Sequence, residues 1–320
     1  MIEFPVELSP PDIRPYRDSS SGVDYVHVFD SGQPGPCVMV QALTHGNELC
    51  GALALDWLFR QGLGRSLQPL RGQLIVSFAN VAAFERFDPD EPSASRCVDE
   101  DLNRVWADEV LFGSGDSLEL RRARQLQPFV DRADLLFDIH SMQDDCRPLM
   151  VCGLLDKGAD LARQLGMPGD LLIDTGHPSG LRMRDRGGFG DPASSKNALL
   201  IECGQHWERR AADVAIDGLV RFLRLAGLVD EAWAAPRLRL PLPAVQQLIR
   251  VDRAVTALSE NFRFLMPVQG LDVIAAAGTA YAQDGETLFR TEHPHTVLVM
   301  PSRRPGKPGQ TMVRLGTFQR

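Results

Sequence analysis

Residues 36–48 read PCVMVQALTHGNE and pass from a hydrophobic strand into the start of a helix. The helix is predicted to run from about Glu48 to Arg60, because leucines recur through this stretch and Gly62 follows it, as glycine commonly does at a helix end. If residues 44–48 already take up the helical conformation where the helix opens, His45 and Glu48, three positions apart, project from one face about one turn apart. An imidazole and a carboxylate at this spacing are able to bind one metal ion. The segment therefore predicts an α/β unit with a metal site where the strand meets the helix.

A second apolar run, LLFDIHS at residues 135–141, offers His140 as a third ligand. Zinc in catalytic sites takes three protein ligands, often two histidines and a glutamate, and keeps a fourth position for water. We therefore predict that His45, Glu48 and His140 bind one zinc ion per chain. The alternative stays open here, because His-x-x-Glu is common by chance and a lone histidine after a strand is more often a hydrogen-bonded core residue.

Two further motifs accompany these ligands, DLNR at residues 101–104 and IECG at residues 201–204. Together with HGNE at 45–48 and DIHS at 138–141, they stand in an order and at separations that resemble the aspartoacylase and succinylglutamate desuccinylase family. That family belongs to the wider zinc carboxypeptidase superfamily. The motif resemblance spans roughly residues 38–205, with a weaker match in the C-terminal part. Four motifs in register are a strong signal for the family and a weak one for the substrate.

The resemblance implies roles for further residues. Glu202 would be the general base and acid that takes a proton from water and delivers it to the departing amine; a buried glutamate paired with an arginine is the alternative from sequence alone. Asn103 and Arg104 resemble the pair that holds the substrate's amino-acid carboxylate, for which the arginine fork offers two hydrogen bonds. Arg96 is a candidate for the same positive cluster or for the surface. Asp138 is a candidate support for a ligand, or a partner of the backbone.

Arginines that contact the scissile carbonyl and a second anionic group are harder to assign. Amidases of the family carry a carbonyl-polarising arginine just after the strand that here ends in AN, residues 79–80, but this chain has VAA at residues 81–83 and no arginine there. Arg86 is the candidate replacement from a shifted loop. Arg182, Arg184 and Arg186 alternate along the chain, and Arg184 is taken as the contact to a second anionic end of the substrate. A solvated edge is the alternative for these arginines.

Other stretches are candidates for the pocket wall. Residues 176–180, GHPSG, are expected to form a mobile pocket loop. The C-terminal part of aspartoacylases supplies a tyrosine to the pocket, but the matching stretch here, TVLVM at 296–300, has none. Recognition specific for aspartate or succinylglutamate is therefore not expected. His206 and Trp207 are candidates for lining the pocket, with a packed tryptophan as the alternative reading.

The alternation of apolar strands with helices predicts an α/β fold with a mostly parallel sheet and helices on both faces. Sites in such sheets gather at the C-terminal ends of strands, which is where His45, His140 and Glu202 fall. After about residue 230 the chain becomes rich in β-branched residues, glycine and proline. We therefore predict a catalytic domain in residues 1–232 and a small β-rich C-terminal domain in residues 233–320.

Composition excludes several classes of function. The chain has 320 residues, 44% hydrophobic and 24% charged, with a formal net charge of −8. These values are ordinary for a soluble globular protein, and the acidic balance argues against nucleic-acid binding. No apolar run approaches the roughly 20 residues needed to span a bilayer, and no secretory signal is visible, so a cytoplasmic location is expected. The six cysteines form no Cys-x-x-Cys pair and are expected to be reduced. A homodimer is left open.

These observations predict a zinc-dependent amidohydrolase that removes the acyl group from a small N-acyl amino acid. A carboxypeptidase acting on peptides is the alternative within enzymes, because it too sets an amide beside an anchored carboxylate. A catalytically silent protein that binds metal or ligand is the alternative outside them.

Overall fold

The structure is a computed structural model that describes residues 4–174, 176 and 179–319. Its first seven strands are β1 (Val26–Asp30), β2 (Cys37–Ala42), β3 (Gln73–Phe78), β4 (Leu135–Met142), β5 (Leu149–Val151), β6 (Asp170–Ile173) and β7 (Asn197–Gln205), and α-helices separate β2 from β3, β3 from β4 and β5 from β6. The strands that follow are β8 (Gln247–Thr256), β9 (Arg263–Phe264), β10 (Val273–Ile274), β11 (Ala280–Asp284), β12 (Thr287–Arg290), β13 (Thr296–Val299) and β14 (Thr311–Gln319). The helices are α1 (Leu49–Arg60), α2 (Val81–Phe84), α3 (Asp108–Leu111), α4 (Leu118–Arg132), α5 (Asp156–Leu165), α6 (Arg209–Leu225) and α7 (Glu231–Ala234).

Within the described residues, eleven strands form one sheet in the order β1-β3-β2-β4-β7-β5-β6-β8-β14-β13-β10. The strands β3, β2, β4 and β7 at its centre run parallel, but β1, β5 and the C-terminal strands β14, β13 and β10 each add antiparallel pairings. The prediction of a mostly parallel sheet is therefore not quite right, because the sheet is mixed. The physical reason is connectivity: crossovers through helices make neighbours parallel, whereas β13 and β14 follow each other without a helix and pair as antiparallel strands.

The C-terminal strands continue the main sheet instead of standing apart from it. Strand β8 pairs with β6 in parallel, and β14 then pairs with β8. Strands β9, β11 and β12 form a separate three-stranded antiparallel sheet. The division of the chain at residues 232 and 233 stays a prediction.

Helices cover both faces of the sheet, and the alternation along β2 shows how. Val38, Val40 and Ala42 belong to the core that contains α1 and α6, whereas Met39 belongs to the core on the other face, under α4. A strand buried on both faces reads as a continuous apolar run for this reason. Among the helices of the described residues, none is long and apolar enough to cross a membrane.

Candidate active site

Three side chains converge at the C-terminal ends of the central strands. His45 and Glu48 lie in the turn between β2 and α1, and His140 lies on β4. His45 Nδ1 is 2.7 Å from Glu48 Oε1, and His140 Nδ1 is 3.0 Å from Glu48 Oε2. One potential ligand atom from each residue lies within 4.8 Å of the others, and all three side chains are buried. Two imidazole nitrogens and a carboxylate thus face one point.

The local backbone differs from the predicted helix. Helix α1 begins at Leu49 with Glu48 as its N-cap, and the Glu48 amide donates to the carbonyl of His45 in a tight turn. The turn packs so closely that a Cβ at Gly46 would lie 2.4 Å from backbone atoms of Ala83, Phe84 and Ser95. Glycine is required there for this close approach. The turn, and not a helical face, brings the two ligands together.

A carboxylate stands behind each histidine. His45 Nε2 lies 2.8 Å from Asp101 Oδ1, and His140 Nε2 lies 2.7 Å from Asp138 Oδ2. The second oxygen of Asp138 accepts a hydrogen bond of 3.0 Å from the Thr44 hydroxyl. Contacts of this kind fix the ring orientation of metal-binding histidines and leave the other nitrogen free for the metal. The arrangement leaves both Nδ1 atoms directed at Glu48.

The charges at this point are strongly coupled. Burial opposes the charged form of Glu48, but His45 and His140 outweigh it and hold the pKa of Glu48 well below its ordinary value. Burial likewise opposes protonation of His140, yet Asp138 and Glu48 raise its pKa well above the ordinary value. The group therefore concentrates negative charge around the two imidazoles, which favours a cation between them.

Glu202 lies directly beside this group. The parallel register of β4 and β7 pairs His140 with Glu202, so both side chains emerge on the same face of the sheet. The Oε2 atom of Glu202 is buried and has no hydrogen-bond partner among the described residues. Burial raises its pKa to about 8, although the nearby His140 lowers it. A carboxyl group with this pKa is able both to accept and to donate a proton near neutral pH.

The DLNR motif at residues 101–104 supplies an arginine and an amide side chain. Asp101 caps the short turn Leu102–Arg104 by accepting from the Asn103 amide at 2.8 Å. Arg104 Nη1 donates to the Asn103 carbonyl, and burial, only partly offset by Asp101, lowers the pKa of Arg104 to about 10. Asn103 Oδ1 accepts from the Met183 amide at 3.1 Å. Both side chains line the cavity described next.

One cavity of roughly 270 Å³ is lined by the three candidate ligands, Glu202, Asn103 and Arg104. Its ligand end holds His45, Glu48, His140 and Glu202, and the other lining residues are Arg96, Asn103, Arg104, Ser141, Met142, Gln143, Asp144, Asp145, Cys146, Val151, Arg182, Leu200, His206, Gly270, Met300, Pro301, Ser302, Thr311 and Arg314. A larger cavity of roughly 830 Å³ shares only Arg104 and Arg182 with it and holds none of the three candidate ligands. The chemistry therefore points to the smaller cavity.

Arg96, and not Arg86, brings a guanidinium group to the ligands. Arg96 Nη2 lies 2.9 Å from both His45 Nε2 and Asp101 Oδ2, and its Nη1 lies 3.7 Å from Glu48 Oε1. Arg86 follows α2, is exposed, and does not line the cavity in the described part of the chain. The position predicted for this cation, directly after β3, is occupied by α2.

Arg184 does not reach the cavity either. Its side chain is buried, with Nη1 donating to Asp185 at 2.6 Å and Nη2 donating to the Ala198 carbonyl at 2.6 Å. Residues Met183–Asp185 form a short 3-10 turn, which breaks the alternation that the sequence pattern assumed. Arg182 is the member of this set that lines the cavity, and Arg186 is bound by Asp131 and Asp108.

Arg314, on β14, lines the same cavity as Arg182 and was missed by the sequence reasoning. It is buried, and its Nε lies 3.6 Å from Asp174, whose Oδ2 already accepts from Arg182 at 3.0 Å. Among the described residues, its one hydrogen-bond acceptor is the Met300 sulfur at 3.7 Å. Burial lowers its pKa, and the charge of Asp174 offsets this only in part. Nothing in the local sequence of β14 distinguishes this arginine from a surface residue.

The expected pocket residues near Glu202 divide into two kinds. His206 lines the cavity, with its Nδ1 2.8 Å from the Ser141 hydroxyl, and burial lowers its pKa to about 3. Trp207 is buried and does not line the cavity in the described residues. Of the predicted loop at 176–180, residues 177 and 178 lie outside the described part of the chain, and Gly180 packs against the carbonyl of Arg104.

Comparison with known proteins gives one family and a consistent fold. Residues 34–224 match the family described as the succinylglutamate desuccinylase/aspartoacylase catalytic domain. A comparison with curated proteins found no match.

Solved structures of similar fold were found at low sequence identity. Succinylglutamate desuccinylase from Chromobacterium violaceum superimposes with a TM-score of 0.65 at 17% identity, covering 93% of this chain and 90% of that one. The product-bound ectoine utilization protein EutE (DoeB) from Ruegeria pomeroyi gives 0.62 at 17% identity, covering 91% and 88%. Murine aminoacylase 3 gives 0.61 at 21% identity, covering 90% and 96%. At these identities the structures establish the similarity of the fold.

Proposed function

The chain belongs to the succinylglutamate desuccinylase/aspartoacylase family of deacylases, and on that basis we propose that it is a zinc-dependent amidohydrolase that removes the acyl group from an N-acyl amino acid. The observation that carries the proposal is the convergence of His45, Glu48 and His140 beside Glu202, in a cavity that also contains Arg104. Hydrolysis of an N-acyl amino acid needs these parts: a metal site, a proton carrier and a carboxylate anchor.

The residues fit a divalent metal ion. Two imidazole Nδ1 atoms and a carboxylate face one point, as in catalytic zinc sites with two histidines and one glutamate. Asp101 and Asp138 orient the two rings, and the carboxylates around them leave negative charge that a cation would balance. We propose one zinc ion per chain, because nitrogen and carboxylate donors in this set suit zinc better than magnesium or calcium.

The metal, when bound, lowers the pKa of a water molecule to about 7 and polarises the substrate carbonyl. Glu202 is then the group that holds and moves the proton: its unpaired Oε2 accepts a proton from the attacking water and later delivers it to the departing amine nitrogen. The raised pKa of Glu202 supports this double use, because the carboxyl group exchanges a proton near neutral pH.

Arg96 is proposed to stabilise the oxygen of the scissile carbonyl. Its guanidinium lies beside His45 and Glu48, and its side chain is partly exposed at the cavity. A fixed cation at that point interacts most strongly when negative charge develops on the oxygen. This assignment would supply the carbonyl-polarising arginine that the sequence lacks after β3.

The anchor for the amino-acid part is proposed to be Asn103 with Arg104. Arg182 and Arg314 line the cavity as well. Arg182 is paired with Asp174 at 3.0 Å and with Asp185 at 2.7 Å. Among the described residues, Arg104 has Asp101 at 3.9 Å and Arg314 has Asp174 at 3.6 Å, so these two arginines are the less completely paired. Buried guanidinium groups with incomplete pairing favour an anionic ligand. We therefore propose a preference for substrates that carry a second carboxylate.

The cavity volume of roughly 270 Å³ supports a small substrate over a peptide, which would need an open groove. A carboxypeptidase remains the enzyme alternative to exclude by experiment. Cytoplasmic location and a homodimer also stay proposals.

The test combines metal analysis with turnover. Purified protein is expected to hold about one zinc per chain and to hydrolyse members of a panel of N-acyl amino acids, with activity lost on chelation and restored by zinc. Glu202→Gln should keep the metal and lose turnover, whereas Glu286→Gln, an exposed control, should change neither. Cleavage of C-terminal residues from peptides in preference to the panel would replace the proposal by a carboxypeptidase, and absence of metal binding would refute it.

A further inference from the structure

Glu119, in the first turn of α4, is a charged residue with no exposed surface that does not line the catalytic cavity in the described residues. Its carboxylate instead binds one stretch of backbone. Oε1 accepts from the Val98 amide at 2.6 Å, and Oε2 accepts from the Asp99 and Glu100 amides at 3.0 and 3.3 Å. Oε1 also accepts from Asn80 Nδ2 at 3.0 Å. One carboxylate thus holds three consecutive N–H groups.

These amides belong to residues 96–104, which we call the anchor loop. The loop carries Arg96 at one end and Asp101, Asn103 and Arg104 at the other. The Glu119 contacts fall between the two ends. A contact that fixes the backbone of residues 98–100 therefore determines the positions of Arg96, beside the candidate metal ligands, and of Asn103 and Arg104, which are proposed to hold the substrate carboxylate.

The junction between the anchor loop and α4 is reciprocal. Asp99 Oδ2 accepts from the Leu118 amide at 2.8 Å, and the Glu100 carboxylate accepts from the Ser117 hydroxyl. Acidic side chains at a helix N-terminus are favourable because they satisfy free N–H groups there. The loop caps the helix, and the helix's Glu119 in turn fixes the loop.

The Glu119 carboxylate is suited to this role as an anion. Burial raises its pKa, but the Val98 amide, the Asn80 side chain and the two further amides outweigh burial, and the pKa of Glu119 lies below its ordinary value. A buried carboxylate without these donors would be costly. Its charge is therefore stabilised by the loop conformation itself.

We propose that Glu119 is a positioning residue for catalysis, acting through the anchor loop on Arg96 and Arg104. The kinetic part of this inference rests on the proposed function; the geometric part does not. Misplacement of a substrate-positioning group by about 1 Å costs on the order of a hundredfold in rate. Loss of the Glu119 charge should therefore lower the rate of hydrolysis although no group that contacts the substrate has been removed.

The test uses Glu119→Gln, because the amide keeps the size of the side chain but turns an N–H group towards backbone N–H groups. The matched control is Asp284→Asn, since Asp284 is also buried and accepts from the amides of Leu258 and Ser259, at 2.6 and 2.9 Å, in the C-terminal part of the chain. Hydrogen exchange by mass spectrometry is read on peptides covering the anchor loop, and kcat and KM are read on the best N-acyl amino acid. Arg104→Met, Arg96→Met and the two corresponding double variants complete the cycles.

The expected result is faster exchange in the anchor loop for Glu119→Gln, an increase in KM with a fall in kcat/KM of about a hundredfold, and a smaller effect of the same change in an Arg104→Met or an Arg96→Met background. Asp284→Asn should change exchange only near residues 258–259 and leave kcat and KM unaltered. If Glu119→Gln does not fold, Asp99→Ala, which breaks the exposed bond to Leu118, is measured in the same way.

Unchanged exchange in the anchor loop overturns the inference. A kinetic effect of Glu119→Gln that is the same in the wild-type, Arg104→Met and Arg96→Met backgrounds also overturns it, because a purely structural role is additive. If the wild type hydrolyses no N-acyl amino acid, the proposed function fails while the exchange experiment still decides whether Glu119 fixes the loop.

Discussion

Replacing Arg314 by methionine should selectively weaken the hydrolysis of substrates with two carboxylates. Methionine keeps much of the length and the apolar stem of arginine but removes the charge. Arg314 is buried, lines the cavity, and has only a sulfur acceptor at 3.7 Å and a carboxylate at 3.6 Å among the residues that the structure describes. Its guanidinium is therefore available to a ligand, and little internal pairing is lost when it is removed.

The magnitude follows from the contact that would be lost. A hydrogen bond to a charged group contributes about 1.5–3 kcal/mol, which corresponds to roughly 10- to 150-fold in kcat/KM. Arg104 and Arg182 remain in the variant and still attract the substrate, so the lower half of this range is expected for one contact. A substrate whose second carboxylate is replaced by an amide loses no ion pair and should change by less than about threefold.

The assay compares matched pairs, N-acetylaspartate with N-acetylasparagine and N-succinyl with N-butyryl derivatives of one amino acid. The first pair locates the second carboxylate in the amino acid, and the second pair locates it in the acyl group. Arg263→Met, at an exposed position in β9, is the control for loss of a positive charge. Equal losses for the acidic and the uncharged members of both pairs would refute the reasoning, because they would show that Arg314 supports the fold and does not recognise the second carboxylate.

Four other substitutions test separate parts of the site and fold. Glu202→Gln should lower kcat by about 10²–10⁴-fold with the zinc content unchanged, measured by metal analysis beside steady-state kinetics; retained turnover would remove Glu202 from the mechanism. Arg96→Met should lower kcat by about a hundredfold with a smaller change in KM, and a change confined to KM would place Arg96 in binding alone. Gly46→Ala should lose zinc and about 1–3 kcal/mol of stability in urea unfolding, because its Cβ would meet backbone atoms at 2.4 Å; full zinc binding would contradict the tight turn. His27 Nε2 donates to the Tyr16 carbonyl, and burial lowers the pKa of His27. The contribution of His27 to the free energy of unfolding is therefore complete above the unfolded pKa of about 6.5 and is lost as pH falls through the folded pKa. The stability difference between wild type and His27→Gln should shrink between pH 8 and pH 5, and a difference independent of pH would contradict this.

The sequence allowed much of the ligand end of the site to be predicted. His45, His140 and Glu202 each follow an apolar run, and parallel neighbours bring the ends of such runs to one edge of the sheet. The register that sets His140 beside Glu202 is long-range, but it follows once both strands are central and parallel. Local pattern and general topology were sufficient there.

The arginine end could not be predicted in the same way. Arg314 lies in the same cavity as Arg182 because β14 pairs with β8 and β8 pairs with β6. No local sequence pattern determines which distant strands become neighbours. The alternation of Arg182, Arg184 and Arg186 would place all three side chains on one side of an extended chain. A 3-10 turn over Met183–Asp185 interrupts that pattern, and Arg182 lines the cavity while Arg184 does not. The mixed parallel and antiparallel pairing of the sheet was not predicted for a related reason, because strand direction depends on the connections between strands and the apolar pattern does not reveal them.

The pairing of β8 with β6 also has a consequence for the order in which the protein becomes competent during synthesis. The proposed metal ligands, up to His140, emerge from the ribosome first, Glu202 follows, and Arg314 emerges only after β8 and β13 have been made. Because β14 is held between those two strands, its arginine takes position only when both are folded. The residues proposed to bind the metal are therefore all synthesised well before the arginine proposed to select the substrate, so a nascent chain acquires the two sets of side chains at separate moments.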